Sequence, residues 1–95
     1  MRIVIIEDNE TLANAIAYRL RDRGHAADVL LDGDEADSFL ARDGADLVVL
    51  DINLPGRSGL EVLRGVRARG DGTPVILLTA RSDTSDRVAG LDMGA

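Results

Sequence analysis

The sequence predicts an α/β domain built on a parallel sheet, and three observations carry that expectation. Short runs of apolar, mostly β-branched residues recur along the chain. Segments with the apolar spacing of a helix lie between them. A glycine stands where each helical segment should stop. Alternation of this kind gives a sheet with helices on both faces and right-handed crossovers.

The elements follow in order. Ile3-Val4-Ile5-Ile6 is apolar at every position, which suits a strand buried on both faces. Leu12, Ile16 and Leu20 recur every four residues beside Ala13 and Ala17, with Asn9 placed as N-cap. Ala26 to Leu30 is a weaker, edge-like strand. A second helix over Gly33 to Arg42 puts Ala36, Phe39 and Leu40 on one face. Leu47-Val48-Val49-Leu50 repeats the signature of the first strand. A third helix carries Leu60, Leu63 and Val66, and Ser58 and Glu61 have capping-box spacing for it. Val75-Ile76-Leu77-Leu78 again suits a strand buried on both sides. A fourth helix is expected from near Ser82, with Val88 and Leu91 inward. Gly24, Gly44, Gly70 and Gly94 take the C-terminal stop positions, where a left-handed residue is favoured.

Composition narrows the functional classes. The chain has 95 residues, 45% hydrophobic and 29% charged, as expected of one globular domain. Net charge is −6, which argues against nucleic-acid binding by this chain. All eleven basic residues are arginine. No apolar run is long enough for a bilayer or a signal peptide, so a cytoplasmic location is expected. Without cysteine there is no disulfide or thiolate metal site. His25 should be solvated. Tyr18 and Phe39 are isolated and form no base-stacking platform. The arginines between Arg19 and Arg23 should form a solvated helix end favourable to the dipole.

Parallel sheets place ligands beyond the carboxyl ends of their strands. Here the first strand ends in Glu7-Asp8, the third in Asp51 and the fourth in Thr79-Ala80. Any one acidic residue there could be a simple N-cap. Together they are harder to explain as structure, because crowded carboxylates repel and raise one another's pKa. An all-oxygen carboxylate set of this kind suits Mg²⁺.

These residues carry a resemblance. Glu7-Asp8, the segment Asp51-Ile-Asn-Leu-Pro-Gly-Arg-Ser-Gly59, Thr79-Ala80-Arg81 and the closing Gly90-Leu-Asp-Met-Gly-Ala95 resemble the receiver domain of bacterial two-component response regulators. Among these the chain is most similar to receivers joined to winged-helix DNA-binding domains. The resemblance implies a flavodoxin-like doubly wound sheet, (βα)4 of an expected (βα)5, with strand order 2-1-3-4. It implies that Asp51 accepts a phosphoryl group from a sensor histidine kinase. Mg²⁺ would be held directly by Asp8, Asp51 and the backbone carbonyl of Asn53, with Glu7 reaching it mainly through water. Thr79 would bind a phosphate oxygen and small Ala80 would leave access to it, while Pro55 and Gly59 shape the loop after Asp51. Such a chain is a signalling domain, not an enzyme beyond its own phosphorylation and dephosphorylation.

The family pattern runs on past Ala95 to a fifth strand, a phosphate-pairing lysine and a fifth helix. Residues 1–95 are therefore expected to be a receiver domain incomplete at its C-terminus. Self-association through the fourth-strand edge or a bare sheet face is expected with it, as is impaired switching. Two other readings stay open. One is a pseudo-receiver that only binds protein partners. The other is a haloacid-dehalogenase-like phosphatase, which Asn53 disfavours by standing where that family has a second aspartate. No Gly-rich phosphate loop with lysine is present.

Overall fold

A computed structural model describes residues 1–78 of the chain. The elements are β1 (Arg2–Ile6), α1 (Glu10–Asp22), β2 (Ala26–Leu30), α2 (Gly33–Arg42), β3 (Leu47–Asp51), α3 (Gly59–Ala68) and β4 (Val75–Leu78). All pairings are parallel and the sheet order is β2-β1-β3-β4, as expected. The expected fourth helix, Thr79, Ala80 and Gly94 lie outside the described residues.

Alternation along the central strands divides the interior in two. Val4 and Ile6 of β1 join Val48 and Leu50 of β3 under α2 and α3. Ile3 and Ile5 face the other way, against Ala13 and Ala17 of α1. Because side chains alternate with period two, one strand feeds both layers. Both layers leave Ile3 to Ile6 of β1 buried, which explains the unbroken apolar run there, with only Arg2 at its start exposed.

The helix starts follow their capping residues. The Asn9 side chain accepts from the Leu12 amide at 3.1 Å, and Asp32 accepts from the Glu35 amide at 2.7 Å. Ser58 Oγ accepts from the Glu61 amide at 3.3 Å. The same hydroxyl also donates to the Glu61 carboxylate at 3.2 Å, so the return arm of the box ends on the side chain. Gly24, Gly44 and Gly70 do take positive φ at the three stops.

Three apolar faces differ from expectation. Leu12 is 44% exposed, because the buried stripe of α1 runs through Ala13 and Ala17. Consecutive helical residues are about 100° apart, which turns Leu12 off that stripe. On α3 the buried residues are Val62, Leu63 and Val66, with Leu60 only half-buried. Adjacent Val62 and Leu63 widen the stripe beyond the spacing of every third residue. On β4 only Val75 is buried, and Ile76 is 52% exposed. Val75 and Leu77 pack towards α2 and α3, whereas Ile76 alternates onto the α1 face.

Polar side chains also stitch the periphery. Arg21 is not simply solvated: its guanidinium donates to the Ala27 carbonyl at 2.6 Å. The N-terminal amine lies 3.3 Å from His25 Nδ1. The Arg2 and Arg42 guanidinium carbons stand 5.4 and 5.9 Å from the centre of the Phe39 ring. Cations at this range are attracted to the face of an aromatic ring.

Among the described glycines the closest approach to another segment is at Gly33, the first residue of α2. Its amide donates to the Pro55 carbonyl at 3.1 Å, and the Arg57 carbonyl occupies the space a β-carbon would need. A methyl group there forces the loop off the helix. Gly33→Ala is expected to destabilise the chain by about 1–3 kcal/mol, the range for overpacking a tight contact. Thermal or urea unfolding of the variant beside the wild type measures it.

Candidate metal centre

The carboxyl ends of β1 and β3 lie side by side, since Ile6 pairs with Leu50 in parallel register. The residues that follow are thereby forced together. Carboxylate oxygens of Glu7, Asp8 and Asp51 all lie within 4.8 Å of one another. Glu7 is 6% exposed and Asp51 8% exposed, while Asp8 is open to solvent. The site is thus a small acidic crevice with two walls buried and one side accessible.

Backbone amides hold the two buried carboxylates. The Asn9 amide donates to Glu7 Oε1 at 3.1 Å, and the Asn53 amide donates to Asp51 Oδ1 at 3.3 Å. Both amides lie two residues beyond the acid they hold, in the turn leaving the strand. Gly59 supports the second turn. Its amide donates to the Ile52 carbonyl at 2.9 Å, and the Asp51 carbonyl stands where its side chain would be. Only glycine lets α3 begin this close to the Asp51 peptide.

Burial pushes the Glu7 carboxyl above its ordinary range, against the Asn9 amide, which lowers it. The neighbouring charges of Asp51 and Asp8 push Glu7 the same way as burial. Burial likewise raises Asp51, with the Asn53 amide opposing and Asp8 adding to the rise. Both carboxyls therefore take up a proton more readily than an exposed carboxyl would. A cation would relieve this crowding, and the all-oxygen donor set fits a hard divalent ion such as Mg²⁺.

Of the residues singled out in the sequence, Glu7, Asp8 and Asp51 are brought together. Pro55 and Gly59 each make one backbone hydrogen bond at the loop after Asp51, Pro55 accepting from Gly33 and Gly59 donating to Ile52. Asn53 contributes its amide to Asp51, a contact the sequence did not suggest. Thr79 and Ala80 lie outside the described residues. Sequence reasoning also missed Asn9's amide and an ion cluster beside the loop. There Arg57 reaches Asp34 at 3.5 Å and Asp37 at 2.7 Å, and Arg69 reaches Asp37 at 3.0 Å. The available signal was Asp34 and Asp37 three residues apart, hence on one helical face.

The sequence family described as the response regulator receiver domain matches residues 3–95. The chain belongs to this receiver-domain family. The receiver domain is 50% identical over 95 residues to the response regulator protein PmrA of Pseudomonas aeruginosa. It is 48% identical over 95 residues to the transcriptional regulatory protein DltR of Streptococcus agalactiae. These matches take in 100% of this chain but only 43% and 42% of those relatives, so the chain spans about two fifths of their length.

Solved receivers share the architecture. The BeF3-activated N-terminal receiver domain of Klebsiella pneumoniae RstA superposes with a TM-score of 0.90 at 36% identity, over 100% of this chain and 80% of that one. The Francisella response regulator 1452 receiver domain gives 0.94 at 28% identity, over 99% and 78%. The flavodoxin-like fold expected from the sequence is therefore the fold of this receiver domain. Among the described residues no helix is long and apolar enough to cross a membrane.

The raised carboxyls set the sign of a pH effect. A carboxyl whose folded pKa lies above its unfolded value makes the folded form bind protons more tightly. The stability it contributes is greatest in acid and falls as pH rises through the raised folded value. Asp51→Asn removes part of that fall. Without divalent cations the variant is expected to be more stable than wild type at pH 7, by on the order of 1 kcal/mol from relieved repulsion. Near pH 4 the gap should close. Urea unfolding at the two pH values, in chelator, checks both.

Proposed function

We propose that this receiver domain accepts a phosphoryl group on Asp51 from the phosphohistidine of a sensor histidine kinase, in a Mg²⁺-dependent reaction. The observation that carries the reading is the meeting of Glu7, Asp8 and Asp51 at the carboxyl ends of β1 and β3 in a chain of this family. Asp8 and Asp51 would hold the ion directly, with the Asn53 carbonyl as a further ligand and Glu7 reaching it mainly through water. When bound, Mg²⁺ supplies positive charge against the crowded carboxylates and the phosphoryl oxygens.

The chain's own groups do the remaining work. An Asp51 carboxylate oxygen forms the new bond to phosphorus. The phosphorus–nitrogen bond breaks, and its electron pair stays on the departing imidazole. The product is an acyl phosphate on Asp51 and a neutral histidine once the imidazole takes a proton. The Asn53 amide fixes the rotation of the Asp51 carboxylate before transfer. Glu7, held by the Asn9 amide, keeps negative charge beside it, which favours a bound cation. Exposed Asp8 marks the open side from which a donor reaches the site. Thr79 would donate to a phosphate oxygen, and Ala80 would leave room for it.

The names of the relatives support transcriptional control as the proposed output, and a cytoplasmic location and a separate DNA-binding domain are proposed with it. The pseudo-receiver reading is less well supported, because the acidic set is complete and its buried members are each held by an amide. Self-association has one observation behind it, the exposed Ile76 on β4. Sedimentation at high micromolar concentration is expected to show dimer, and clean monomer counts against it.

The central test is labelling by acetyl phosphate. Wild type is expected to gain one phosphoryl group by intact mass in Mg²⁺ and none in chelator. Asp51→Asn should gain none in either. Labelling of Asp51→Asn at the wild-type rate would sink the assignment. Equal labelling without Mg²⁺ would remove the metal from it.

A further inference from the structure

The segment after Asp51, residues 52–58, is tied at both ends. At its start the Ile52 amide donates to the Leu78 carbonyl at 3.2 Å. At its end Ser58 caps α3. In its middle Leu54 packs against the core under α2 and α3, while the backbone and charged groups around it bond to neither the sheet nor α3. There it leans on α2, through the Gly33 amide on the Pro55 carbonyl and through Arg57.

Arg57 is placed to fix that middle part. Its guanidinium bridges Asp34 and Asp37, one turn apart on α2. Arg69, the C-cap residue of α3, holds the other oxygen of Asp37 at 3.0 Å. Loop, α2 and α3 therefore meet at one cluster of alternating charge. A planar guanidinium spanning two carboxylates constrains orientation as well as distance, which a single charge does not. The loop so held contains Asn53, whose amide sets the Asp51 carboxylate.

We propose that Arg57, gripped by Asp34 and Asp37 and backed by Arg69, is a positioning residue that holds the loop after Asp51 in the shape that binds a divalent cation at Glu7, Asp8 and Asp51. The inference rests on the metal-binding reading of that site. It has a consequence that charge alone does not. As a cation near an acidic site, Arg57 should weaken Mg²⁺ binding by its field, so its removal should tighten binding. Removal of Asp37, an anion, should loosen it. Positioning makes both removals loosen it.

The test is Mg²⁺ titration followed by backbone amide shifts, for wild type, Arg57→Ala, Asp37→Asn and the double variant. Thermal unfolding of each in chelator reports stability separately. Each single variant is expected to weaken Mg²⁺ binding about threefold, within the range for partly exposed ion pairs. The double variant should lose no more than the larger single loss, as members of one unit do. Unchanged or tighter binding by Arg57→Ala overturns the proposal, even if its melting temperature falls. If Arg57→Ala does not fold, Arg57→Gln keeps the stem and takes its place under the same criteria. Wild type with no Mg²⁺-dependent shifts around Asp51 overturns the metal site itself, and this inference with it.

Discussion

Like-charge repulsion among Glu7, Asp8 and Asp51 is the constraint around which this molecule is built. Nothing in the sheet requires acids at the ends of β1 and β3, and their proximity works against folding in the absence of a cation. Parallel register between the two strands makes the crowding unavoidable once the acids are there. The fold offsets it with the apolar run Ile3 to Ile6 of β1 packed on both faces and with two backbone amides aimed at the buried carboxylates. Burial contributes a second effect. It raises the pKa of Glu7 and Asp51, and it also lowers the local dielectric, so a cation arriving there gains more than it would in water.

The loop after Asp51 has the opposite electrostatic character. Burial would raise the Asp37 carboxyl, but Arg69 and Arg57 outweigh it and hold Asp37 below its ordinary range. Carboxylates are thus treated in two ways within a short distance along the chain. Those at the strand ends are left without cations of their own among the described ion pairs. Asp34 and Asp37 on α2 are paired with arginines. Separating the two sets keeps protein cations out of the place a metal would occupy.

Much of this was legible in the sequence, for identifiable reasons. The strands were readable because a strand covered on both faces needs apolar residues at every position, and few other structures do. The helix starts were readable because Asn9 and Ser58 act on amides only three residues away. The acidic site was readable because sheet topology converts strand ends into neighbours. What escaped depends on tertiary geometry. Leu12 and Leu60 were placed too far inward and Val62 was passed over, because apolar spacing alone does not say which side of a stripe meets the sheet. The Arg57 cluster joins α2, a loop and α3, and no local pattern states that those segments touch. Asn53 was assigned a carbonyl role by resemblance, whereas its amide contact depends on the turn's actual shape.

The Arg21 contact bears on how the sheet ends. β2 is an outer strand, and its Ala26 amide and Leu30 carbonyl bond inward to β1. Alternation then turns the backbone groups of Ala27 outward, where another chain could add a strand. The Arg21 guanidinium occupies that Ala27 carbonyl, and it comes from the last turn of α1. Asp28 beside it is paired with Arg2 and adds charge to the same margin. The end of α1 thus occupies a backbone acceptor that strand addition at this margin of the sheet would need.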